Sequence, residues 1–80
     1  MKVMSKVTNL APKEIIDKAV VFFSGKYGLK RLESSESCCA HFQSDIGFVS
    51  LRVVTMGKRN EAILETREYD YQIQEFLKTF

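Results

Sequence analysis

The sequence predicts an α+β domain spanning residues 1–80: a five-stranded antiparallel sheet with both helices on one face, in the order β-α-β-β-β-β-α. Three observations carry this. Gly47–Met56 is the longest run of strand-favouring residues, with Val49, Leu51, Val53 and Thr55 on one face and Ser50 and Arg52 on the other. Turn signals bound it, Asp45-Ile46-Gly47 before and Gly57-Lys58-Arg59-Asn60 after, so it pairs with a strand on each side. Apolar residues at helical spacing occur twice, after Pro12 and after Asp70. A strand with two neighbours is central, and the helices cover its apolar face.

Taken in order, Val3–Leu10 alternates loosely, with Val3, Ser5 and Val7 on one side, and reads as a first strand. Pro12 opens a helix, because its fixed φ and missing N–H suit the first turn. Ile15, Ile16, Ala19, Val20, Phe22 and Phe23 fall within one apolar arc, and Val21 alone lies opposite. Continuing the wheel would place Lys26 inside that arc, so the helix is expected to stop near Ser24, with Gly25 or Gly28 at the exit. Leu29–Glu36, two leucines among charges and serines, suits a protected edge strand. Cys38–Ser44 alternates cleanly, Cys38, Ala40 and Phe42 against Cys39, His41 and Gln43.

The hairpin at Asp45-Ile46-Gly47 is expected to use Gly47 at positive φ. For Phe42 and Ala40 to share the core with Val49 and Leu51, paired residue numbers must sum to an odd value. The last strand, Glu61–Tyr69, puts Ala62, Leu64 and Thr66 in the core. A four-residue turn at Gly57–Asn60 opposes them to Thr55, Val53 and Leu51, and on the other face matches Arg52 with Glu65 and Phe48 with Tyr69. Asp70 is the expected N-cap of a final helix whose stripe is Ile73, Phe76, Leu77 and Phe80.

Composition narrows the class. The chain has 80 residues, 45% apolar and 28% charged, which is an ordinary small globule rather than a disordered or fibrous chain. A chain this short buries only about 60% of its unfolded surface, so self-association is a natural source of extra stability. Net charge is +2, unevenly placed: residues 1–31 hold seven Lys or Arg against two acids, and residues 32–80 five against eight. That is short of the basic excess of a nucleic-acid binder. No run approaches the roughly 20 apolar residues of a membrane span, and Lys2 and Lys6 break the first apolar run, so no secretory signal is read. Adjacent Cys38 and Cys39 are expected as free thiols in a reducing cytoplasm, since strand neighbours point to opposite faces.

One stretch carries a family resemblance. Val7-Thr8-Asn9-Leu10-Ala11-Pro12-Lys13-Glu14-Ile15-Ile16-Asp17 resembles the opening segment of START/Bet v1-like domains, where a strand meets an Ala/Pro turn and an acidic-apolar helix start. The resemblance implies a helix-grip fold, in which a C-terminal helix closes a curved sheet around an apolar ligand. This chain is shorter, lacks two of those strands and ends in a brief helix. The element order also resembles one repeat of the TATA-binding-protein fold, whose sheet grips DNA.

Candidate chemistry is sparse. His41, the single histidine, shares a strand face with Cys39 and could act as a base or thiolate partner, but no glycine-rich loop leads into a helix to form an oxyanion hole. No spacing of His, Cys or acids matches a metal site, and no glycine-rich phosphate loop occurs, so no cofactor is implied. Two surfaces remain. Phe22, Phe23, Phe42, Leu51, Phe76 and Phe80 would line an apolar-ligand groove between the final helix and the sheet. Phe48, Val54, Ile63 and Tyr69 surround Arg52, Glu65 and Arg67 on the open sheet face, a patch suited to a second copy. Aromatics and arginines there also suit a single-stranded nucleic acid, but Glu65 opposes it, and Lys30-Arg31 and Lys58-Arg59 fall at opposite ends of the sheet. The expectation is a small non-enzymatic binding module for an apolar ligand, able to self-associate. The alternative is a protein- or nucleic-acid-interaction module using the open face.

Overall fold

The computed structural model describes residues 1–35 and 38–80; Glu36, the expected end of the second strand, lies outside them. The strands are β1 (Lys2–Thr8), β2 (Lys30–Ser35), β3 (Cys39–Gln43), β4 (Phe48–Met56) and β5 (Arg59–Arg67), and the helices are α1 (Pro12–Ala19) and α2 (Asp70–Leu77). They form one antiparallel sheet in the order β1-β5-β4-β3-β2, with β4 at its centre. The α+β class and the β-α-β-β-β-β-α order are those the sequence predicts.

The core lies between the sheet and the helices. Ile15, Ile16, Ala19 and Phe23 from the first helical stretch meet Ala40, Phe42, Val49, Leu51, Val53, Ala62 and Leu64 from the sheet. Ile73, Phe76 and Leu77 close it from α2. Thr66 is also fully buried, and its hydroxyl donates to the Phe48 carbonyl at 2.6 Å, which removes the cost of burying it. Thr55, expected on the same face, is exposed at the hairpin end and donates to Asn60 Oδ1 at 3.2 Å.

The β3–β4 register, Ala40 opposite Leu51 and Phe42 opposite Val49, has the odd sum the pattern requires. The β4–β5 register differs from expectation by two residues. Leu51 faces Leu64, Arg52 faces Ile63, Ser50 faces Glu65 and Phe48 faces Arg67. The cause is a tighter turn: Met56 pairs with Arg59, leaving only Gly57 and Lys58 in the loop. Gly57 has φ 64° and Lys58 does not have positive φ, the pattern of a type II′ hairpin. A shift of two keeps every side chain on its face, so the core is unchanged while the cross-strand partners are not.

The first helix does not stop at Ser24. From Val20 to Lys26 it widens into a π-helical segment, and Tyr27 N–H bonds the Phe22 carbonyl five residues back at 3.3 Å. A wider turn rotates less per residue. Phe23 therefore stays on the core while Lys26 swings outward, which resolves the conflict the helical wheel met at that lysine. Gly28 at φ 70° ends the segment, and Leu29 N–H returns to the Phe23 carbonyl at 3.0 Å.

On β1, Met4 faces Leu64 and Lys6 faces Ala62, so the even-numbered residues point toward the helices and Val3, Ser5 and Val7 toward the open face. Lys6 Nζ donates to the Leu77 carbonyl at 3.0 Å, placing a cation on the last turn of α2. Asp70 is the first helical residue rather than the cap; Tyr69 holds the cap position without a side-chain bond. Glu68, at φ 78°, turns the chain from β5 into α2.

Gly47 does not take positive φ. Its requirement is space: a side-chain carbon there would collide with the Arg67 carbonyl and lie 2.9 Å from Glu68 Cβ. The turn and the β5–α2 corner are thus pressed together, and Ser44 Oγ and Tyr69 Oη share a hydrogen bond of 2.5 Å beside them. Gly47→Ala is expected to destabilise the fold by about 1–3 kcal/mol through overpacking. Gly25→Ala, with open space around it in a helical segment, should instead stabilise by about 0.5–1 kcal/mol. Urea denaturation of both variants checks the pair.

Candidate functional site

The space expected to hold a ligand, between α2 and the sheet, is filled by the chain's own rings. Phe23 meets Phe42 at 5.5 Å and Phe76 at 5.1 Å between centroids, and all three rings are fully buried with Leu51 beneath them. Phe22 and Phe80 complete the set, each against Phe76, at 5.4 and 5.0 Å. The six residues named from sequence therefore come together as one aromatic-aliphatic cluster.

What stays open is the outer side of that cluster. An apolar groove of about 420 Å³ runs between the first helical stretch and α2, with Val21, Phe22 and Phe76 as its apolar lining and Asp17, Lys18, Lys26 and Thr79 around it. The π-helical widening builds it. Lys26 Nζ lies 5.2 Å from the Phe22 centroid and 5.4 Å from that of Tyr27, a cation held over two ring faces. The Asp17 charge is met by Lys13 at 3.1 Å, so Lys18 and Lys26 leave the rim positive. Val21, 71% exposed, was the sequence signal for this surface: it is the one apolar residue opposite the core arc.

Next to the groove, Glu75 joins the two helical layers. The Tyr27 hydroxyl donates to Glu75 Oε2 at 2.9 Å across 48 residues of sequence. Hydrogen bonds from Tyr71 and then Tyr27 hold the Glu75 carboxyl below its ordinary range, with Lys26 and Lys78 assisting and partial burial opposing. The same bonds to the carboxylate raise both phenols, Tyr27 and Tyr71.

Among the described residues no helix covers the other sheet face. Phe48, Arg52 and Val54 on β4 and Ile63, Glu65 and Arg67 on β5 lie there as expected. Tyr69 does not: beyond the Glu68 turn it packs against the core. Phe48 stacks instead on His41, at 5.7 Å and 19° between planes. Arg52 and Glu65, diagonal neighbours in the observed register, form no ion pair with each other. They flank a depression of about 310 Å³ that also touches Val3, Cys39, Ser50 and Ile63.

The adjacent sulfurs of Cys38 and Cys39, expected as free thiols, lie against each other. The expectation placed both on a strand, but Cys38 sits in the turn before β3, where alternation does not hold. Among the described residues no group of His, Cys, Asp and Glu could hold a metal ion, and no helix is long and apolar enough to cross a membrane.

Comparison with protein-family models, curated proteins and solved structures finds no match to this chain.

The Glu75 geometry fixes a pH response. A carboxyl depressed in the fold contributes stability above its unfolded pKa and loses it as pH falls through the folded value. Wild type should therefore be more stable than Glu75→Gln at pH 7, and the difference should vanish as pH drops below the 4.5 of an ordinary glutamate. Thermal melts of both proteins across that range measure it.

Proposed function

We propose that this protein is a small non-enzymatic binding module whose interhelical groove takes an apolar molecule carrying one anionic group. The observation that carries the reading is the groove itself, about 420 Å³ with an almost wholly apolar interior beneath two lysines. That volume lies within the usual range of small-molecule sites, and a few placed charges on an apolar lining are how such sites fix orientation. Lys18 and Lys26 would receive the anionic end, and Lys26 is already stationed by the rings of Phe22 and Tyr27. The Thr79 hydroxyl donates inward to the Phe76 carbonyl at 2.7 Å and so offers its oxygen only as an acceptor. The likeness of residues 7–17 to helix-grip domains, which enclose apolar ligands, points the same way. The site differs from theirs in lying outside the aromatic layer instead of between helix and sheet.

Decanoate is a suitable probe, followed by isothermal titration calorimetry. Wild type is expected to bind it, and Val21→Arg, a change at an exposed position that leaves the core intact, should abolish binding without lowering the melting temperature. Decanol should bind roughly tenfold more weakly, the loss of one charge-assisted contact. Binding of decanoate undiminished in Val21→Arg, or none to wild type, would refute the reading.

A further inference from the structure

We infer that the open sheet face is the contact between two copies of this chain, paired about a two-fold axis that sets Arg52 of each against Glu65 of the other. This goes beyond the groove, which lies on the opposite side of the molecule.

The first argument is charge. Arg52 and Glu65 stand on adjacent central strands, point the same way, and have no ion-pair partner within the chain among the described residues. Opposite charges left unpaired on one patch are self-complementary under a two-fold operation, because each meets its opposite twice. An axis lying in the contact plane and bisecting the two residues passes near Ser50 and Ile63, so Ile63 meets its own copy at the centre. That axis lies at about 55° to the strands, so the two sheets cross at about 70°, nearer the orthogonal class of sheet packing than the aligned one.

The second argument is apolar content. Val3 is 60% exposed, Val54 38% and Met56 51%, and with Ile63 and Phe48 they surround the charged pair. A solvated sheet face would alternate to polar residues at these positions. The edges, by contrast, present Lys2 on β1 and Lys30 and Arg31 on β2, a charge placement that blocks strand-to-strand pairing. Association is thereby directed to the face.

The third argument is area. The strands average about seven residues, or about 24 Å, and five of them span about 19 Å, giving about 450 Å² in projection before side-chain relief is counted. That is the order of the about 800 Å² per partner of a stable interface.

The test is sedimentation equilibrium on wild type, Arg52→Glu, Glu65→Arg and the double exchange Arg52→Glu/Glu65→Arg. Wild type should be dimeric at high-micromolar concentration, and each single variant should dimerise at least roughly tenfold more weakly, from like charges meeting twice. Mixing the two single variants should restore a dimer, since each then supplies the charge the other lacks, and the double exchange should dimerise alone. Unchanged circular dichroism of the single variants separates lost contact from lost fold. Wild type that is monomeric, or that sediments with nucleic acid bound at this face, overturns the inference. Single variants that dimerise like wild type overturn it as well, because they place the contact elsewhere.

Discussion

The contact between Phe23 and Phe76 is the joint on which the fold depends. Phe23 belongs to the first helical stretch, Phe76 to the last helix, and both rest on Phe42 and Leu51 of the sheet. Each buried phenylalanine contributes about 1.5–3 kcal/mol, a large share of the few kcal/mol a domain of this size retains. The π-helical widening at Val20–Lys26 follows from the same joint, because a regular helix would carry Lys26 toward the rings. So does the need for α2 to be held at both ends, by the Gly47–Glu68 corner at its start and by Lys6 at its last carbonyls.

Filling one face of the sheet so completely sends function outward. A helix-grip domain leaves a cavity between helix and sheet; here five phenylalanines occupy that space. Two surfaces remain, an apolar groove under lysines and a sheet face with apolar residues around Arg52 and Glu65, which have no ion-pair partner among the described residues. They lie on opposite sides of a two-layer molecule, so a dimer through the sheet would leave both grooves open to solvent. The two proposals are therefore compatible and independently breakable.

Much of this was legible in the residues. Alternation in Gly47–Met56 located the central strand, and the parity rule put Phe42, Ala40, Val49, Leu51, Ala62, Leu64 and Thr66 on one face, where all are buried. The β4–β5 register was not legible, because a two-residue shift preserves that parity and leaves the hydrophobic pattern unchanged. Only the turn decides it, and Gly57-Lys58 accepts a two-residue loop that Gly57–Asn60 as a four-residue turn did not anticipate. Gly47 reads from sequence as a φ requirement, but its reason is a neighbour 20 residues away in the chain. Lys6 was visible as a charge in an apolar run, and its partner at Leu77 only in three dimensions. The groove was the converse case: Val21 was seen to face away from the core, but the surface it helps form required the π-helical turn.

Native-state hydrogen exchange tests most directly the claim that helices and sheet are one unit locked by the rings. The amides of Phe76 and Leu77 in α2 should exchange with the same free energy as those of Leu51 and Leu64 at the sheet centre, since Phe76 cannot leave without opening the core. Exchange of α2 at a much lower free energy than the sheet would mean the helix lifts independently. That result would contradict the account, and would return the space beneath α2 to consideration as a ligand site.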